Sequence, residues 1–426
     1  MTCSLLVKDL FITCSSLVND LFTTCSDVDD NIVGVMMVDL SAAFDMVDHP
    51  ILLQKLKVFG LEDTALQWMS SYLSGRSQSV YVDGCMSPAL DIDCGVPQGS
   101  ILGPLLYILF TNGVPSLIHS HTSNYKVPEA FCDDCGGTVC YVDDGTYSVG
   151  HKDPGILSEV LTSQYRAISN YMMANKLVIN DEKTNLMILG TRKNKVVREQ
   201  VKLQAGNFDI HPTSTGKLLG CELSDDLKWK YHIRDSNQSL IRQLTTRVNG
   251  LTMIASRADF ATRLMVANGV VISKLCYLIQ LWGGCEGYLL HSLQVLLNKA
   301  ARSVTKMSGF TSTKRLMTAC NWLSVKQLVV YHRVTMVFKT LETATPSYLH
   351  GRLSTTPHSI GTRQSTTGGI RQDESYRWRS STKCGSMRYR GTIDYNRIPV
   401  EIRTCTSLVT FKKKLKLWVK DNVDIV

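Results

Sequence analysis

The chain has 426 residues, 44% of them hydrophobic and 19% charged, with a formal net charge of +9, a balance that supports sizeable buried cores. No run approaches the ~18 uninterrupted apolar residues of a membrane span, and no basic start followed by an apolar stretch reads as a signal peptide. Fourteen cysteines without regular spacing argue against a disulfide-knit secreted scaffold and for reduced thiols inside the cell, in nucleus or cytoplasm.

Taken in order, the chain opens on a repeat: "CSLLVKDLFIT" at Cys3 to Thr13 returns as "CSSLVNDLFTT" at Cys14 to Thr24. Two copies are too few for a solenoid, and residues 1–33 read as a degenerate leader. From Gly34 the pattern is orderly. "GVMMVDLSAAF" predicts a buried strand over Val35 to Leu40 that passes into a helical stretch. "HPILLQKLKVFGL" and "ALQWMSSYLSG" predict helices stopped by Gly60 and Gly75. "SQSVYVDG" and "ALDIDCGVPQG" read as strands about a turn at Gly84, and "GSILGPLLYILFTNGV" as a glycine-punctuated loop feeding an apolar helix.

Residues His119 to Gly137 look like an inserted loop ahead of a strand over Thr138 to Val142. There "CYVDDGTYS" sets Asp143 and Asp144 side by side at the end of an apolar run, where two like charges repel. An acidic hairpin turn at Asp144-Gly145 is one reading. The other is a metal site, because Asp39 also ends an apolar strand, and carboxylates from adjacent strands are hard oxygen ligands for Mg²⁺. Cys132, Cys135 and Cys140 could bind zinc if His119, His121 or His151 supplied a fourth ligand; partly buried thiols are the alternative. An amphipathic helix from Ile156 follows, then short strands in "LVIN", "TNLMILG" and "KLLGCELSDDLKW".

Beyond Trp229 strand signals thin out, and helical periodicity carries Lys and Arg on the polar faces. Through residue 225 the chain holds 15 Lys+Arg against 26 Asp+Glu; afterwards 31 against 11. A basic half beside an acidic half suits a polyanion gripped by one part while the other concentrates carboxylates. Residues 351–397 shift to Ser, Thr, Gly and Arg and read as partly disordered. A closing helix, "SLVTFKKKLKLWVKDN", could lie on a membrane or a phosphate backbone, or simply cap a domain.

In order and spacing, "VDLSAAFDMVDH", "GVPQGSILGPLLYILF", "YVDD", "NKLVINDEKTNLMILG" and "KLLGCELSDDLKW" resemble the palm motifs of reverse transcriptases of LINE-type (non-LTR) retrotransposons. The resemblance implies an α+β polymerase palm over 34–229, its antiparallel sheet backed by helices, a helical thumb-like region over 230–310 and a basic C-terminal region over 311–426. It implies RNA-directed DNA polymerase activity with an RNA template, a DNA primer and deoxynucleoside triphosphates as partners, no membrane, and two Mg²⁺ ions with Mn²⁺ as an alternative. Asp39, Asp143 and Asp144 would be the catalytic, metal-holding carboxylates. Lys183 would protonate pyrophosphate, although a lysine there can equally be just solvated. Phe44, otherwise a core aromatic, would exclude ribonucleotides. Gln98 and Gly99 would line the incoming nucleotide, and Leu219, Gly220 and Trp229 would support the primer end. Upstream of Gly34 the repeat stands where fingers would be expected, and no endonuclease is evident. A truncated copy is therefore expected, with a catalytically inactive nucleic-acid-binding remnant as the alternative function.

Overall fold

The computed structural model describes residues 32–123, 138–141, 144–189, 198–206, 208–345, 349–350, 353 and 387–423. Two compact units divide the chain between Gly216 and Lys217.

The unit spanning Val28–Gly216 is built on a four-stranded antiparallel sheet in the order β6-β7-β1-β8, with β1 Ile32–Ser41, β6 Thr138–Tyr141, β7 Asp144–His151 and β8 Val178–Leu189. β1 reads as an unbroken apolar run because both its faces are covered, and seven of its first residues in succession are buried. On one face lies α5, Pro154–Ala174, against which Gly34 leaves no room: a Cβ there would sit 2.7 Å from Leu161 Cδ1. On the other face Met37 and Met187 close on Gly216, and Thr213 bridges to Met187.

Around the sheet stand α1 His49–Val58, α2 Asp63–Leu73, α3 Leu102–Thr111 and α4 Val114–Ser123. The strands β2 Arg76–Gln78 and β5 Leu90–Ile92 pair outside a small hairpin of β3 Tyr81–Val82 and β4 Cys85–Met86. α1 starts where Asp48 accepts a hydrogen bond from Ile51 N at 3.0 Å, and α5 where Asp153 accepts from Gly155 N and Ile156 N. Half-buried Lys55 of α1 donates to the Phe110 carbonyl at the end of α3 and to the Tyr171 hydroxyl of α5, and burial pushes its ammonium down to about 8. The short strands expected at "LVIN" and "TNLMILG" are instead one strand, β8, interrupted by a bulge.

At the start of the second unit, β11 Thr215–Leu218 and β12 Cys221–Ser224 form a two-stranded sheet, after the small pair β9 Leu203–Ala205 and β10 Phe208–Ile210. The rest of this unit is helical. The main helices are α6 Leu240–Ile254, α7 Phe260–Ala267, the short α8 Ser273–Cys276 and α9 Ile279–Trp282, then α10 Gly287–Thr305, α11 Thr313–Cys320 and α12 Val325–Thr343. α10 buries Leu289, Leu293, Leu297, Ala300 and Val304 at helical spacing.

The chain ends on α13 Met387–Arg397, α14 Val400–Arg403 and α15 Leu408–Asn422. α13 is tied down by Asp394, which pairs with Arg333 at 2.7 Å with both side chains buried. Most of the stretch expected to be partly disordered, residues 351–352 and 354–386, lies outside the described residues. The closing helix α15 caps its own unit: Phe411, Leu415 and Val419 are buried, and Phe411 stacks on Phe338 at 3.8 Å.

Candidate active site

Asp39 stands near the end of β1, where its two neighbouring strands behave differently. Toward β7 the register runs evenly and ends at Val38↔Gly145, so Asp39 and Asp144 each stand one residue past the last paired position. Asp143, the residue expected to face Asp39, lies outside the described residues.

Toward β8 the register breaks. Met37 pairs with Asn185 and Asp39 with Asn180, so two steps along β1 answer to five along β8. The surplus forms a bulge that Asn180 organises: its side-chain oxygen accepts from Lys183 N at 3.2 Å and its carbonyl accepts from Thr184 Oγ1 at 2.9 Å. Asn185 Nδ2 donates to the Lys183 carbonyl at 3.0 Å, and the Tyr165 hydroxyl donates to Asp181 Oδ1. This bulge turns Lys183 back, bringing its Nζ to 3.4 Å from Asp39 Oδ2.

That separation is an ion-pair distance without hydrogen-bond direction. Asp39 Oδ2 is therefore a buried oxygen with no hydrogen-bond donor among the described residues. A buried, incompletely satisfied carboxylate oxygen is costly unless something else completes it, and a hard divalent cation is chemically suited to do so. Asp39 and Asp144 would supply only two ligands, and among the described residues no group of three His, Cys, Asp or Glu is arranged to hold a metal. Of the expected zinc ligands, Cys132 and Cys135 lie outside the described residues, as do the side chains of Cys140, His119 and His121. His151 is committed locally, its Nδ1 accepting from Asp153 N at 2.9 Å.

Past β1 the chain turns at Ala42, in the left-handed region with φ 48°, and this turn is stitched to the glycine-rich loop. Val96 N donates to the Phe44 carbonyl at 2.9 Å and Gly95 N to the Val47 carbonyl at 2.8 Å. Phe44 stacks on the fully buried Tyr107 of α3, ring centroids 5.0 Å apart. Gln98 Nε2 donates to Asp45 Oδ1 at 3.0 Å, and Gly99 follows with φ 78°. Phe44, Gln98 and Gly99 are thus assembled about one turn. Asp45, Tyr107 and Asn180, which build these contacts, were not among the sequence candidates. Asn180 had a signal, since Asn-Asp after a strand favours a side-chain-closed turn.

The residues expected to support a primer belong to the second unit. Leu219 and Gly220 form the two-residue link between β11 and β12, with φ 49° and 75°, and the Tyr277 hydroxyl donates to the Leu219 carbonyl. Trp229 meets His232 edge-on at 6.3 Å. His232 is buried and its Nδ1 accepts from Glu222 N at 3.2 Å; burial, then the nearby Lys274 charge, pushes it down to about 4.

Residues 11–223 match the family model for reverse transcriptase (RNA-dependent DNA polymerase). The chain belongs to the reverse transcriptase family. It is 27% identical over 283 residues to the RNA-directed DNA polymerase from mobile element jockey of Drosophila funebris, covering 66% of this chain and 29% of that protein. It is also 27% identical over 290 residues to the probable RNA-directed DNA polymerase from transposon X-element of Drosophila melanogaster, with the same coverages. The reverse transcriptase thus spans under a third of the length of these relatives. A solved telomerase from Candida albicans, in complex with a fragment of telomeric RNA, is 13% identical with a TM-score of 0.34, over 82% of this chain and 53% of that one. The family match starts at residue 11, within the leader and ahead of the expected start at Gly34.

Proposed function

We propose that this chain extends a DNA primer along an RNA template by nucleotidyl transfer. Asp39, Asp143 and Asp144 would hold Mg²⁺, two ions in all, with Mn²⁺ able to substitute. The observation that carries the reading is Asp39 Oδ2, buried near a strand end with no hydrogen-bond donor among the described residues and with Lys183 Nζ at 3.4 Å. When bound, such ions lower the pKa of the primer 3′-hydroxyl and neutralise the triphosphate and its leaving pyrophosphate. Lys183, on its exposed stem, supplies a proton to that leaving group. Phe44, braced by Tyr107, limits space beside the sugar 2′ position and so selects deoxynucleotides. Gln98, oriented by Asp45, and Gly99 lie along the incoming nucleotide. Leu219, Gly220 and Trp229 support the primer end through backbone and packing.

On this reading the palm runs over 34–229, the thumb-like region over 230–310 and the basic region over 311–426. Among the described residues no helix is long and apolar enough to cross a membrane. Nucleus or cytoplasm is the proposed setting.

Primer extension by the purified full-length chain on an RNA template, with Mg²⁺ or Mn²⁺, tests the reading. Extension should occur and should be lost in both Asp39→Asn and Asp143→Ala. Extension that survives both changes overturns the site, and RNA binding without any extension would favour the inactive remnant.

A further inference from the structure

Lys183 has a place in this protein before any nucleotide arrives. Its ammonium sits 3.4 Å from the same Asp39 oxygen that lacks a hydrogen-bond donor among the described residues, while most of the lysine side chain, 69%, remains exposed. The backbone from which it projects is held in place. The β8 bulge is closed from within by Asn180, through Lys183 N and Thr184 Oγ1, and is fastened outside by Tyr165 on Asp181 and by Asn185 on the Lys183 carbonyl. Thr184 is buried, so the bulge has a fixed floor from which the lysine projects.

We propose that Lys183 is the resident counter-ion of Asp39, held there by the Asn180 bulge, and that a divalent cation binding at Asp39 must displace it. The proposal rests on Asp39 being a metal ligand, as argued above. An ammonium and a divalent ion cannot share one carboxylate oxygen without strong repulsion, so their occupancies compete. The competition is mild, because an ion pair whose lysine is largely exposed is weak and screened by solvent. Once displaced, the ammonium is released on a flexible four-carbon stem beside the carboxylates, where the next anion to enter is the nucleotide's triphosphate. One lysine thereby neutralises Asp39 in the metal-free protein and becomes available to phosphate only when metal has bound. Asn180 is a positioning residue in this scheme: it acts through Lys183 and touches neither metal nor substrate.

Mn²⁺ binding to the full-length chain without nucleic acid, followed by the electron paramagnetic resonance signal of the free ion, tests this with no need for catalysis. Lys183→Gln and Asn180→Ala should each bind Mn²⁺ about two- to fivefold more tightly than wild type, the range that loss of a competing ion pair with a largely exposed lysine allows. Lys183→Arg should restore wild-type affinity. Lys176→Gln, which removes a lysine paired with Asp48 elsewhere on the surface, should leave affinity unchanged. Asp39→Asn should abolish the site. If Asp39→Asn binds as wild type does, Asp39 is not a ligand and the underlying reading fails. If Asp39→Asn abolishes binding but Lys183→Gln leaves affinity unchanged or weaker, that reading stands and the counter-ion is overturned. Equal tightening in Lys183→Gln and Lys176→Gln would reduce the effect to bulk charge and overturn it as well.

Discussion

Gly95 has no space for a side chain. A Cβ there would lie 2.9 Å from the Asp45 carbonyl oxygen and 3.0 Å from its Cα, backbone atoms that cannot swing aside, and its φ of 90° is one that L side chains rarely adopt. Gly95→Ala should therefore cost roughly 1–3 kcal/mol of stability in denaturant unfolding. It should also loosen the link from the β1 turn to the glycine-rich loop; an unchanged midpoint would show that the loop relaxes freely. Phe44→Ala should raise ribonucleotide incorporation relative to deoxynucleotide, read as the ratio of kcat/KM values, since the Tyr107 stack then has nothing to brace. At this scale Asp39 stands out in the sequence by its place at the end of an apolar strand, whereas Phe44 and Gln98 stand out only through the resemblance to reverse transcriptases. Asp45 was invisible as a Gln98 partner, because that contact joins residues 53 apart and appears only once the loop has docked.

Elements were legible where one period ran unbroken and illegible where it slipped. α1 and α2 announce themselves by helical spacing and their stops at Gly60 and Gly75, and α5 by its amphipathic spacing. β8 does not: its Asp181-Glu182-Lys183 interruption looks like a turn between two strands, whereas the ladder to β1 resumes beyond it with extra residues looped out. A period-2 pattern carries no information about a bulge, and that bulge is what delivers Lys183 to Asp39. The closing helix was ambiguous for a different reason, since its lysines suit a membrane, a phosphate backbone or solvent alike. Packing decides: Lys416 and Lys420 reach the Asn321 carbonyl and side chain at the end of α11, while Phe411 stacks on α12. Phe411→Ala should thus cost about 3–5 kcal/mol and let α15 be cut faster in limited proteolysis than in the wild type. Persistence of α15 in that variant would mean that the lysine caps alone hold it.

For the molecule as a whole, the switch from acidic to basic composition near residue 225 falls close to the division of the chain at Gly216, so the charge contrast separates two folded units. The basic unit also contains one buried imidazole, His232, and one half-buried, His332, that give its stability a distinctive pH dependence. Burial first, then the charges of Lys274 and Lys412, pushes His232 and His332 down to about 4 each. Both are neutral in the folded protein, and His232 must be, because its Nδ1 accepts from Glu222 N. Below about pH 6.5, the ordinary histidine value, the unfolded chain takes up these protons while the folded chain does not. Stability is therefore full above that pH and falls as the pH drops toward about 4, by up to about 1.4 kcal/mol per pH unit for each histidine. Paired carboxylates act in a lower window: Asp48, held below its usual range first by the Lys176 hydrogen bond, gives up its contribution only in stronger acid. Urea midpoints followed through Trp282, buried in this unit, should stay level above pH 6.5 and fall steadily below it. His232→Gln should remove about half of that slope, and a level midpoint down to about pH 5 in the wild type would mean that neither imidazole is held neutral.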